Sequence, residues 1–252
     1  MSRGWLVGLA LGLMGVTAPA ARAQARDSMP GMAGMDSTDR HAAAAADAEM
    51  SGPMSADPHM VMTPSRPVAP GDAARAADLL ARMRSSLVRY RSADSALADG
   101  YRPFFPNVPQ PVYHFTNLMN ALAERFRFDP AHPTSLLYRK DPGGAYVLVG
   151  AMYDDAADTP LAELDARVPL SYAHWHRHVN WCLPPRGAPE RWRETKDGHP
   201  LFGPRSPIAT ADACAAVGGR FVPHLFGWMV HVNAFLDDSA QVWGDAHGGA
   251  GP

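Results

Sequence analysis

The chain has 252 residues, of which 46% are hydrophobic and 19% are charged, and its formal net charge is −2 at pH 7. This charge balance leaves no electrostatic footprint for nucleic acid or for an anionic membrane, so composition argues against a nucleic-acid-binding protein. The length suffices for a single globular domain once a leader and a low-complexity segment are set aside.

The N-terminus has the features of a secretory signal peptide. Arg3 precedes an apolar run that is too short to cross a bilayer as a helix, and small residues end the segment at Ala23. We therefore predict cleavage of residues 1–23 and a periplasmic or secreted location. No cysteine follows the cleavage site to carry a lipid anchor, and no later segment is apolar enough to span a membrane.

Residues 24–70 are predicted to form a disordered tether. Seven of the 13 methionines lie in it, among Ala, Gly, Ser, Asp and Pro residues that cannot build a core. Thioethers and imidazoles in a mobile segment suit a soft metal ion, above all Cu(I). The candidate ligands of this secondary metal site are Met29, Met32, Met35, His41, Met54, His59 and Met60. A plain low-complexity linker and a sacrificial oxidant trap are the alternatives.

Residues 71–244 are predicted to form the globular domain, followed by a flexible tail over 245–252. Apolar residues at three- and four-residue steps between Leu79 and Tyr90 predict an amphipathic helix, which Asp72 would cap. A second short helix should end at Gly100. A third is predicted over 113–126, with these apolar side chains on one side: Phe115, Leu118, Met119, Leu122 and Phe126.

The second half of the domain mixes strands with helices. Two β-prone runs, 135–140 and 145–153, flank the turn residues Asp141-Pro142-Gly143-Gly144 and predict a hairpin. In the second run, Leu148, Gly150 and Met152 alternate with the residues of the opposite face. Further helices are predicted over 159–166 and 210–217, and one or two strands over 220–236. The mixture predicts an α+β fold, a single domain with an antiparallel sheet and several packed helices.

Three motifs in this region carry a resemblance. ALADGY (Ala96–Tyr101), HFTN (His114–Asn117) and LLYRKDPGGAYVLVGAMY (Leu136–Tyr153) resemble the shared pattern of a group of small exported bacterial proteins. The resemblance covers about residues 75–155, and the group has no established activity. It therefore implies a secreted domain and no particular chemistry.

The segment Pro169–Pro185 carries the densest polar pattern in the chain. In a strand, alternate side chains share a face, so His174, His176 and His178 would project together. In a helix, only His174 and His178 would pair. Because burial of an imidazole without a partner costs free energy, three alternating histidines favour metal ligation. A structural polar network and a site for an organic ligand are the alternatives.

His231 and His114 are the further candidate ligands. His231 lies in an apolar run, where a buried imidazole needs either a metal or a hydrogen bond. His114 opens a predicted helix and could equally act as a cap. Cys182 and Cys214 form the simplest disulfide in an oxidising compartment, although Cys182 could also serve as a thiolate ligand.

These residues lead to a functional hypothesis. Imidazole ligands suit copper, zinc or iron, and copper is preferred because the tether adds methionine sulfur. We expect an exported copper-binding or copper-handling protein that exchanges the ion with a periplasmic donor or acceptor. One alternative is a metalloenzyme with a cupin-like set of histidine ligands, acting as an oxidase, oxygenase or hydrolase. The other is a partner- or ligand-binding module with structural histidines. No motif nominates a catalytic residue, so enzymatic activity stays open.

Overall fold

The computed structural model of the protein describes residues 38, 40–42, 58–104, 106, 110–236 and 239–243. The predicted signal peptide and tail therefore lie outside the described residues, as does most of the predicted tether. Four candidate ligands fall outside with them: Met29, Met32, Met35 and Met54.

Six α-helices are formed by the described residues: α1 (Asp72–Leu87), α2 (Ala93–Ala98), α3 (Leu118–Glu124), α4 (Leu161–Arg167), α5 (Ala211–Ala216) and α6 (Ser239–Val242). Two 3₁₀ helices cover Val88–Arg91 and Pro189–Arg193. The strands are β1 (Met60–Met62), β2 (Arg102–Pro103), β3 (Tyr113–Thr116), β4 (Ser135–Lys140), β5 (Tyr146–Asp155), β6 (His176–Leu183), β7 (Thr195–Lys196), β8 (His199–Pro200), β9 (Arg220–His224) and β10 (Trp228–Val232).

Eight of these strands form one antiparallel sheet. Its order is β1-β6-β10-β5-β4-β3-β2, with β9 also paired to β6, while β7 and β8 form a separate two-stranded hairpin. The predicted α+β class is confirmed, and so is the hairpin that joins β4 to β5.

The main hydrophobic core lies between one face of the sheet and the helices α1, α2 and α4. On the helical side Leu79, Met83 and Leu87 are buried, at the spacing that the sequence predicts for α1. On the sheet side the same core contains alternate residues of β10, among them Val230 and Val232. The opposite face of the sheet therefore carries the remaining residues of each strand.

The prediction of a helix over 113–126 is wrong for its first residues, which form a strand, and for the side of the helix that is buried. Tyr113 and Phe115 alternate into the core as part of strand β3, which pairs with β4. The helix starts only after Asn117, because the Asn117 side chain accepts hydrogen bonds from the backbone N–H groups of Met119 and Asn120. Met119 is exposed instead of buried, as are Leu122 and Phe126.

A β-bulge changes the predicted alternation of β5. Tyr138 pairs with Leu148 and Leu137 pairs with Gly150, so one residue of β5 is left over between the two pairs. As a result Leu148 joins the helical core, whereas Met152 packs on the opposite face.

The folded domain begins before Gly71. Met60–Met62 form an edge strand of the sheet, and the Thr63 backbone N–H donates to the Trp175 carbonyl. Arg66 donates two hydrogen bonds to the Asp72 carboxylate and one to Asp165. Asp72 is the first residue of α1, and its side chain accepts from the Ala69 N–H and not from a backbone N–H of the helix, so it holds the incoming chain in place of capping α1.

Cys182 in β6 and Cys214 in α5 form a disulfide bond, as predicted. The bond joins residues 32 apart in the chain and ties α5 to the sheet. A thiolate role for Cys182 is therefore excluded while the bond is intact. Among the described helices none is long and apolar enough to cross a membrane.

Substitution of Gly150 by alanine tests the close contact of β5 with β10. A Cβ atom at this position would overlap the Val232 carbonyl oxygen, so the two strands would have to separate. We expect Gly150→Ala to lower the free energy of unfolding by about 1–3 kcal/mol or more. Gly143→Ala is the matched control, because the nearest atom to its Cβ belongs to the Asp141 side chain at 3.3 Å in the exposed turn. Equal urea-unfolding curves for the two variants would contradict this packing.

Candidate functional site

Two histidines of β6 project from the sheet face opposite the main core. His176 and His178 alternate on the strand and are each 1% exposed. Arg177, between them, faces the other side, where its guanidinium lies 4.5 Å from the centre of the Trp228 ring. The predicted strand alternation is thus observed over these three residues.

Strand β1 brings two methionines of the predicted tether onto the same face. In its antiparallel register Met60 is opposite His178 and Met62 is opposite His176. Directly opposed residues of an antiparallel pair have side chains on the same face. Val61, between the two methionines, points the other way and is 39% exposed. The methionine-rich segment and the histidine row therefore meet in one place.

Strand β10 extends this arrangement on the other side of β6. Met229 is opposite His176, and His231 follows two residues later on the same face. His231 in turn is opposite Met152 of β5. All three side chains are buried.

His114 of β3 completes the group. Strands β4 and β5 separate β3 from β10 in the sheet, which at the usual strand spacing is about 14 Å of backbone. The ring centroids of His114 and His231 are nevertheless 5.8 Å apart, so the sheet curves towards this face. We call the eight side chains gathered here the His/Met face: Met60, Met62, His114, Met152, His176, His178, Met229 and His231.

The imidazole rings on the His/Met face are close neighbours. The centroids of His176 and His231 are 4.9 Å apart, and those of His176 and His178 are 6.1 Å apart. Because a metal–imidazole bond is about 2 Å long, two rings on one ion have centroids roughly 5–6 Å apart. Counting His, Cys, Asp and Glu donors alone, the described part of the chain contains no group of three arranged to hold a metal ion.

The surroundings of the His/Met face keep the His178 imidazole neutral. Val112 and Leu137 pack there with the methionines, and Phe226 lies 6.4 Å from the His178 ring. Burial lowers the pKa of His178 to about 4, with a smaller contribution from His59. At neutral pH His178 is therefore uncharged. Its buried Nε2 has no hydrogen-bond partner within the described residues, so a nitrogen is free to act as a ligand.

The other predicted histidines have different surroundings. His174 precedes β6, and its ring nitrogens lie 3.0 Å from the Thr63 carbonyl oxygen and 3.1 Å from the Ser65 hydroxyl. His59 is buried with its ring nitrogens 3.0 Å and 2.6 Å from backbone carbonyl oxygens of Asn180 and Ser206. The exposed His41 ring lies 6.0 Å from that of Trp192. The structure thus brings four of the five predicted central ligands together on the His/Met face and leaves out His174. The ring nitrogens of His174 and His59 instead lie against protein oxygens.

Two carboxyl groups lie next to the His/Met face. Asp154 is opposite Met229 in the β5–β10 register. Its side chain is directed to the Thr134 hydroxyl, which also contacts Glu124 at the end of α3. Burial raises the pKa of Glu124, and the neighbouring Asp154 raises it further. The pair therefore holds a proton, and Asp154 is engaged with Thr134 instead of completing a histidine–carboxylate metal site.

Sequence reasoning missed three members of the site. Met62 lies in the tether, Met152 in the predicted hairpin and Met229 in the strands predicted over 220–236, and none of them was selected as a ligand. Only the strand register, which joins residues 53, 79 and 114 positions apart, brings them to the histidines. The clue in the sequence was that methionine recurs at alternate positions in MVM and beside His231 in WMVHV.

No family model matches the chain, and neither a curated protein nor a solved structure is significantly similar to it. The inference of function therefore depends on the sequence and on the geometry of the site.

The carboxyl pair predicts an unusual pH dependence of stability. Folded Glu124 keeps a proton that the unfolded chain loses above the ordinary carboxyl pKa, so the free energy of unfolding should fall as pH rises from about 5 towards 9. Glu124→Gln is uncharged throughout and should flatten this decline, whereas Glu190→Gln, on the exposed surface, should leave it unchanged. Urea unfolding of both variants across this pH range is the measurement, and parallel curves would contradict the shared proton.

Proposed function

We propose that the protein is exported and binds copper as Cu(I) on the His/Met face. The observation that carries the proposal is the register of β1 on β6, which sets Met60 and Met62 against His178 and His176. The methionine-rich segment and the histidine row are separate features of the sequence, more than 100 residues apart. Their meeting on one buried face is what a site for a soft metal ion requires.

The donor chemistry supports Cu(I) over zinc or iron. Thioether sulfur is a soft ligand that needs no deprotonation, and neutral imidazole binds copper readily. Here a histidine lies between two methionines across three neighbouring strands, because His176 on β6 is opposite Met62 on β1 and Met229 on β10. A carboxylate, which harder ions would prefer, is turned away towards Thr134.

The position of β1 supports a role in copper exchange. The His/Met face is buried, so a strand or loop that covers it must move before an ion can enter. β1 has only three residues and is at the edge of the sheet, so its detachment breaks fewer interactions than that of any strand inside the sheet. Because β1 follows directly on the methionine-rich segment, an ion captured there would pass to His176 and His178 when β1 closes. A periplasmic donor or acceptor protein would exchange the ion at the same edge.

An exported location agrees with the disulfide between Cys182 and Cys214, because such bonds persist in oxidising compartments. The signal-peptide features of residues 1–23 point the same way.

Replacement of the β1 methionines is the direct test of the site. We expect the predicted mature chain, residues 24–252, to retain about one Cu(I) in competition with a chromophoric chelator under anaerobic conditions. Met60→Leu/Met62→Leu should weaken this retention at least about tenfold, since loss even of a residue that only supports a metal ligand costs that much. Leucine preserves the volume and apolar character of methionine, so the fold should survive.

Met83→Leu is the matched control, because Met83 is equally apolar and fully buried but lies in the helical core. His176→Ala/His178→Ala should abolish the tight site. Copper retention by the β1 double variant equal to that of wild type would remove the methionines from the site. Tight binding of zinc or iron with an exchangeable water would favour the metalloenzyme instead.

A truncated chain tests the contribution of the tether to copper binding separately from that of the His/Met face. Because residues 58–70 are part of the domain, deletion of residues 24–57 should lower the number of Cu(I) ions bound while the tight site on the face is kept. The melting temperature should fall somewhat, since the deletion removes Ala42, which packs with Trp181 and Leu183. Elemental analysis of both chains after dialysis gives the stoichiometry. An unchanged stoichiometry would show that the segment before Pro58 takes no part in copper binding.

A further inference from the structure

Helix α3 presents its apolar side to solvent. Met119, Leu122 and Phe126 are 71%, 51% and 83% exposed. They are spaced three and four residues apart, and the turn after α3 continues with hydrogen bonds from the Phe126 and Arg127 N–H groups to the Ala123 carbonyl, so the three side chains share one side. Isolated exposed hydrophobic residues are ordinary, but a group of three large ones marks an interaction surface.

Polar contacts hold the helix in this orientation. The Asn120 side chain donates to the Tyr101 hydroxyl and to the Pro133 carbonyl, and Glu124, one turn later, is 1% exposed. The Arg167 guanidinium donates to the Glu124 carbonyl at 2.7 Å. The polar side of α3 therefore faces the protein and the apolar side faces outwards, which is the reverse of the usual arrangement in a surface helix.

The exposed charged residues next to Phe126 in the chain are both positive. Arg125 and Arg127 flank Phe126 and are both exposed. Glu124 is the sole acidic residue between positions 118 and 128, and its side chain is buried. We call Met119, Leu122, Arg125, Phe126 and Arg127 the α3 patch.

We propose that the α3 patch docks the protein on an anionic lipid surface. Three apolar side chains can enter the boundary between headgroups and acyl chains, while the two guanidinium groups contact lipid phosphates. A second copy of the chain fits less well, because a two-fold contact would bring the arginines of both copies together. The net charge of −2 gives no indication of this surface, because it sums over the whole chain, whereas Arg125 and Arg127 lie together on the α3 patch.

The docking is independent of copper and is tested by flotation with lipid vesicles. Residues 24–252 should float with phosphatidylglycerol vesicles, bind phosphatidylcholine vesicles far less, and be released by added salt. Met119→Ser/Phe126→Ser should lower the partition coefficient by about tenfold or more, since a buried aromatic side chain contributes at least that much. Val147→Ser/Val88→Ser removes two similarly exposed apolar side chains elsewhere and should have no effect.

Arg125→Gln/Arg127→Gln should abolish the preference for phosphatidylglycerol while leaving the residual binding to phosphatidylcholine. All substitutions are at exposed positions, so the melting temperature should be unchanged and loss of folding cannot mimic loss of binding. Equal flotation of the α3 and control variants would overturn the proposal. So would failure of the wild-type chain to float, or a wild-type dimer in sedimentation that Met119→Ser/Phe126→Ser converts to a monomer.

Discussion

The hydrogen-bonded register of β6 is the constraint on which the rest of the site depends. It sets Met60 opposite His178 on one side and Met229 opposite His176 on the other. A shift by one residue would turn both histidines towards the helical core and bring Arg177 to the opposite face. Three-residue β1 cannot specify this register alone. The second half of β6 is held by β9 and by the bond from Cys182 to Cys214, so the register is fixed away from the site.

The two faces of the sheet differ in composition and in their contribution to stability. The face under α1, α2 and α4 is filled by aromatic and aliphatic side chains such as Trp175, Tyr153 and Leu136, and supplies most of the hydrophobic stabilisation. On the His/Met face, burial of the His178 Nε2 atom, which has no hydrogen-bond partner among the described residues, costs free energy. A bound ion would convert that cost into binding free energy, because ligands held close together by the fold lose little freedom on binding.

Local patterns in the sequence were sufficient for much of the fold. Asp141-Pro142-Gly143-Gly144 defines its hairpin because the turn chemistry is contained within four residues, and the period of α1 is equally local. The error at 113–126 arose because YHFTNLMNALAERF satisfies both periods, and the capping side chain of Asn117 decides between them. The position of His176 and His178 followed from alternation. Their meeting with Met60 depends on pairing across more than 100 residues, which no local pattern encodes.

The choice of residues on these strands argues against packing as the sole reason for the methionines. Strands favour β-branched and aromatic side chains, and the core face of β10 follows this preference with Val230 and Val232. On the opposite face the same strand has Met229 and His231, and β1 likewise alternates methionine with Val61. Valine or isoleucine would fill apolar space there with a better strand preference and less loss of side-chain entropy. Methionine differs from them by its sulfur, so its repeated use beside the histidines agrees with the proposed binding of a soft metal ion, in addition to the packing of Met152 and Met229 with Val112 and Leu137.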